Sequence, residues 1–151
     1  MPKLTDFGFS TSGAKENITL PVSHGWTAPE VVIGSQKLWS FAQAKQADVF
    51  SLGLVCLWLL DDLHLSLIQA SESPADVFGQ AHDSAWSRKV DVLSQSDGFT
   101  AYCRELLDRA EGLSMAQIKM LDRFFQLSLC CSPSDRVSDV DQLLEALGLE
   151  E

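Results

Sequence analysis

Apolar residues recur at helical spacing through most of the second half of the chain. Phe99, Cys103, Leu106, Leu107 and Ala110 share one face of an α-helical period, which predicts a helix over 99–110 with Gly112 as its cap. Ser114 can then accept from the free amides of a new first turn, and Ile118, Leu121, Phe124, Phe125 and Leu129 fall on one side of the helix it opens. Pro133 helps to stop that helix. Ser138 followed by Asp141 resembles a capping box for a last helix through Leu143, Leu144 and Leu147, closed by Gly148. The stretch 44–60 differs, because its second half is apolar on every face, and it predicts a helix buried all round.

The remaining segments carry weaker patterns. Lys3-Leu4-Thr5 reads as a short strand running into a turn at Gly8, and the polar run from Ser10 to Thr19 has no periodicity and reads as a loop. Pro29 is tolerated at a first helical position, so Pro29-Glu30-Val31-Val32-Ile33 predicts a short helix ended by Gly34. From Asp61 to Ser96 the signal falls, with a loop at Ser71-Glu72-Ser73-Pro74 and a short helix over 82–93. The expected class is mainly α: one short strand, a loop-like segment, then five or six helices around the apolar one.

Composition narrows the function classes. With 151 residues, 46% of them hydrophobic, the chain is long enough for one domain with a core of its own. A formal net charge of −10 argues against nucleic acid, which is held by clustered Lys and Arg. The apolar run Val49–Leu60 is shorter than the ~20 residues that span a bilayer, so no membrane anchor is expected. No basic, apolar, small-residue leader opens the sequence, which suggests an intracellular, cytoplasmic setting. Cys56, Cys103, Cys130 and Cys131 lack metal-ligand spacing and read as reduced, mostly buried thiols. His24, His64 and His82 form no catalytic constellation with neighbouring residues.

Four short motifs stand in a telling order: Asp6-Phe7-Gly8, Ala28-Pro29-Glu30 preceded by Trp26-Thr27, Ala47-Asp48-Val49-Phe50-Ser51-Leu52-Gly53, and Ser132-Pro133-Ser134-Asp135-Arg136. Together they resemble the protein kinase family. The resemblance runs from the magnesium-binding signature to the end of the catalytic domain, with Ser132 in place of the usual Asp and Val137 in place of the usual Pro. It implies a kinase-like C-terminal lobe, with residues 1–30 as the activation segment and 31–151 as the helical part.

The resemblance also assigns roles. Asp6 would hold magnesium, a hard cation that prefers carboxylate oxygen, with Phe7 as an apolar plug and Gly8 permitting the turn, so Mg and ATP are the implied cofactors. Ala28, Pro29, Glu30, Asp48, Gly53 and Arg136 would be structural. Glu30 would pair with Arg136 to lock the activation segment, and Asp48 would accept hydrogen bonds from catalytic-loop amides. Should that loop be missing, Asp48 would serve as a first-turn carboxylate favoured by the helix dipole. Ser10, Thr11, Ser12, Thr19 and Ser23 are hydroxyls open to phosphorylation.

Residues 1–151 contain no Gly-x-Gly-x-x-Gly and no His-Arg-Asp. Family function is ATP-dependent phosphoryl transfer to Ser, Thr or Tyr hydroxyls, and this chain by itself is expected to be inactive, as a portion of a longer kinase. The alternative is a non-catalytic, kinase-like interaction module. In it, the long apolar helix would lack the cover it has in complete kinases and would expose a patch for a protein partner or for self-association.

Overall fold

A computed structural model describes residues 17–34, 37–69, 80–96 and 98–149. Over these residues the protein is mainly helical: α1 (Pro29–Ile33), α2 (Phe41–Gln69), α3 (Gln80–Ser96), α4 (Phe99–Arg109), α5 (Met115–Ser128) and α6 (Val140–Leu147). A single 3₁₀ turn at Pro133–Asp135 joins α5 to α6. The only pairing of extended backbone among the described residues is an isolated bridge between Ile18 and Trp39. The expected strand at Lys3-Leu4-Thr5 lies outside the described residues.

α2 begins earlier and ends later than the periodicity suggests. Its start is set by Ser40, whose hydroxyl accepts from the Gln43 amide at 3.3 Å while the Gln43 side chain accepts from the Ser40 amide at 3.0 Å. That reciprocal pair satisfies two amides the first turn leaves free. Asp48 therefore sits about two turns inside the helix, beyond the reach of the dipole at its N-terminus, and the first-turn role expected of it does not apply.

The core gathers on one side of α2. Phe50, Leu54 and Leu57 are fully buried there, and Phe50 meets the Phe99 ring of α4 edge to face at 5.5 Å. α4 adds Cys103, Leu106 and Leu107, α5 adds Phe125, and Leu129 follows as its cap. α5 opens with the Ser114–Gln117 capping box and packs against α2, α4 and α6. α4 itself is capped at Ala110, two residues before Gly112. The final helix is capped by Asp139, whose carboxylate accepts from the Gln142 amide at 3.0 Å, and not by Ser138. A carboxylate is a stronger acceptor than a hydroxyl at that position, so the frame shifts by one residue. Gly148 closes α6 in the left-handed region at φ 67°, a conformation open to glycine.

The expectation that α2 is buried on every face is corrected. Leu52, Val55 and Leu59 are 36%, 42% and 48% exposed, and their spacing of three and four residues puts them on one stripe. Phe50, Leu54 and Leu57 turn toward the core, while this stripe turns away from it.

The cysteines also differ from expectation. Cys103 alone is buried, while Cys56, Cys130 and Cys131 are half-buried. Burial, with the Asp122 carboxylate adding to it, pushes the Cys103 thiol up to about 12, so it stays protonated. Among the described residues no helix is long and apolar enough to cross a membrane.

Candidate functional site

Glu30 and Arg136, 106 positions apart, meet in the interior. Arg136 Nη1 donates to Glu30 Oε1 at 2.8 Å and Nη2 to Oε2 at 3.3 Å, and the guanidinium is fully buried beside a carboxylate only 16% exposed. Further donors of the same group reach the carbonyls of Gln46 (2.9 Å) and Cys130 (2.7 and 3.1 Å), and its flat face lies 4.6 Å from the centre of the Phe50 ring. This geometry uses what Arg has and Lys lacks, a planar fork that binds a carboxylate with two bonds and stacks on an aromatic face. The node ties α1, the first turns of α2 and the turn after α5 to one another.

Gly53 makes a related contact one element away. A Cβ there would lie 2.7 Å from Ser128 Oγ and within 2.9 Å of the Leu129 side chain, so only glycine lets α2 and α5 approach this closely. Ala28 is fully buried and Pro29 opens α1, so this stretch enters the core as a unit. Upstream, Trp26 stands between two other indoles, 6.0 Å from Trp58 and 5.6 Å from Trp86, and Trp86 Nε1 donates to the Gly25 carbonyl at 2.9 Å. Gly25 has φ 80°, and a Cβ would also collide with Ser87 Oγ at 2.7 Å. The segment 18–31 is thereby sewn to α2 and α3.

Asp48 looks out of α2 into a cavity of about 200 Å³ lined also by Ser23, Thr27 and Ser51. The residue is exposed, yet partial desolvation by its neighbours pushes its carboxyl above the usual range. No hydrogen-bond donor among the described residues reaches it. The nearby hydroxyls are engaged elsewhere. Thr27 Oγ1 accepts from the Ser23 amide (2.8 Å) and donates to the Ser23 carbonyl (2.9 Å), while Ser51 Oγ donates to the Ala47 carbonyl (3.1 Å).

Asp48 also begins the exposed stripe, since Asp48, Leu52, Val55 and Leu59 follow one another at intervals of four, three and four. Beside Leu52 and Cys56 runs a groove of about 230 Å³ whose other walls are apolar side chains of α5 and α6, among them Met120, Phe124, Leu143 and Leu144. A carboxylate without donors at one end and a greasy strip along the rest can accept a helical segment whose end presents N–H groups.

No family model matches the chain, and neither curated proteins nor solved structures give a match. Asp6, Phe7 and Gly8 lie outside the described residues, as do Ser10, Thr11 and Ser12. The structure therefore joins Glu30 to Arg136, places Gly53 in the α2–α5 contact and sets Asp48 apart from both. One cluster escaped the sequence pattern altogether. Lys89 Nζ donates to Asp61 Oδ2 at 2.6 Å and to Tyr102 Oη at 2.9 Å, and Tyr102 Oη donates to Asp61 Oδ1 at 2.5 Å. Asp61 is only 5% exposed, so this closed triangle clamps α2, α3 and α4 together from inside. Lys89 supplies the one cation of the triangle. An Asp directly after the apolar run 49–60 is the one hint the sequence holds.

Proposed function

We propose that the chain is the C-terminal-lobe portion of a protein kinase, whose family activity is ATP-dependent phosphoryl transfer to protein hydroxyls, and that these 151 residues do not catalyse it by themselves. The observation that carries this reading is the buried Glu30–Arg136 pair, because the four motifs imply that contact from sequence order alone. The unmatched Asp48 carboxylate adds support, being the acceptor that a catalytic loop's amides would fill. Asp6 would hold magnesium, which when bound supplies the positive charge that offsets the phosphates. Glu30, Arg136 and Gly53 contribute by fixing the activation segment and the central helix in place.

The test is the sequence encoded in frame ahead of Met1. Protein extended to include it should transfer the γ-phosphate of ATP to a protein substrate, and Asp6→Asn should abolish that transfer. A folded extended protein without activity, or one indifferent to Asp6→Asn, overturns the reading. The exposed stripe on α2 favours a second reading, a non-catalytic kinase-like module that binds a protein partner or another copy of itself. Under that reading the chain binds a hydrophobic dye and associates with rising concentration, whereas dye-silent monomers count against it.

A further inference from the structure

Beside Glu30 lies a groove of about 460 Å³, walled by α1, the 37–40 loop, α2 and Pro133. Its size is that of a site for a few side chains. One wall is apolar. Ile33 is 88% exposed there, with Val32 and Leu38 at 43% and 56% close by in sequence, and the buried Trp39 forms the floor. Such bare aliphatic side chains beside a concavity are the pattern of a contact surface.

The opposite wall is polar. Gln43 and Gln46 stand nearly one turn apart on α2. Gln43 Oε1 accepts from the Ser40 amide at 3.0 Å and Gln46 Nε2 donates to the Pro133 carbonyl at 3.1 Å. Each carboxamide thus spends one end on the fold and keeps the other, an N–H donor on Gln43 and an oxygen acceptor on Gln46. A donor and an acceptor about one turn apart are what the C=O and N–H groups of an extended peptide require.

Charge decides which peptide. The Glu30 carboxylate is neutralised by Arg136, and Lys45 is paired with Asp139 at 3.1 Å. Lys37 lies 4.9 Å from the centre of the Trp39 ring and has no ion pair among the described residues. The groove therefore presents one uncompensated positive charge in a chain whose net charge is −10. A polyanion such as nucleic acid or an acidic membrane meets the repulsive field of the whole molecule first. A short segment with one or two carboxylates meets Lys37 as the one unpaired charge among the residues that line the groove, since Glu30 is held by Arg136.

We propose that this groove is a docking site for an extended segment of a partner protein in which an acidic residue alternates with an aliphatic one. The aliphatic side chain packs between Ile33 and Trp39, the carboxylate pairs with Lys37, and the backbone bonds to Gln43 and Gln46.

The experiment follows the indole N–H signals of the 151-residue protein by NMR while two blocked tetrapeptides are added, one alternating glutamate with isoleucine and the other lysine with isoleucine. The Trp39 signal should shift saturably, with the glutamate peptide bound about tenfold more tightly than the lysine peptide and the gap narrowing in high salt. Lys37→Glu should invert that preference. The signals of Trp26, Trp58 and Trp86 serve as the folding control, since Trp86 is buried, the other two pack against the core, and all three should hold their positions in the variant. Absence of a Trp39 shift, equal affinity for both peptides, or an unchanged preference in a folded Lys37→Glu protein overturns the proposal.

Discussion

Arg136 is the residue on which most depends, because five donors in a buried position leave no cheap way to lose it. Arg136→Ala strands the Glu30 carboxylate away from water and should cost about 3–5 kcal/mol, read as a large drop in the urea midpoint. The exposed Lys119→Ala is the matched control and should leave the midpoint within error. Lys89→Ala should also destabilise, by about 1–3 kcal/mol, since Asp61 then keeps only Tyr102. The same triangle sets an alkaline limit. Lys89 is held above its ordinary value, where burial alone would lower it, by its bonds to Asp61 and Tyr102, and Tyr102 is raised first by burial and then by Asp61. Folding thus favours charged Lys89 and neutral Tyr102, so their stabilisation is complete below about pH 10 and lost as pH climbs through the folded values. Chemical denaturation at stepped alkaline pH should show that decline, and Tyr102→Phe should flatten it. Motif order implied Glu30 as the partner of Arg136 but not the Gln46 and Cys130 carbonyls or the Phe50 ring, whereas the triangle's corners lie on three helices and share no period.

At the scale of elements, local rules explain most boundaries and fail where two of them compete. Ser114 and Gln117 form the box their spacing suggests, but Asp139 displaces Ser138 because its carboxylate is the better cap. Ser40 and Gln43 form an equally regular box, which the apolar pattern of α2 masks by placing the start of the helix further along the chain. That same pattern could not reveal the exposed stripe, as an all-apolar helix gives no sign of which face has a neighbour. Leu59→Glu should therefore be tolerated with under about 1 kcal/mol of lost stability, while Leu57→Ala, fully buried on the other side, should cost about 2–5 kcal/mol. Gly53→Ala should cost about 1–3 kcal/mol by thrusting a methyl group into Ser128 and Leu129. Thermal melts of the three variants would rank them, and equal losses for Leu59→Glu and Leu57→Ala would mean that the stripe is covered.

The whole molecule combines a tied interior with two untied edges, the α2 stripe that begins at Asp48 and the groove beside Lys37. Sequence order was enough to suggest a lobe and its central helix, but the groove depends on side chains from α1, α2 and the turn at Pro133, which only the fold brings to one place. Asp48 illustrates the cost of an untied edge. Partial desolvation with no donor to offset it raises the Asp48 carboxyl, so Asp48→Asn should raise the melting temperature of the chain slightly. The cluster of three indoles centred on Trp26 has a different consequence. Rings whose centres lie 5.6 and 6.0 Å apart do not absorb independently: their transitions couple, and the chain should show a strong near-ultraviolet circular dichroism signal that belongs to the cluster. Because Trp26 rides on the segment before α1 while Trp58 and Trp86 ride on helices, that signal would vanish when the segment lifts off, even with every helix intact, giving an optical means of seeing the segment leave before the protein unfolds.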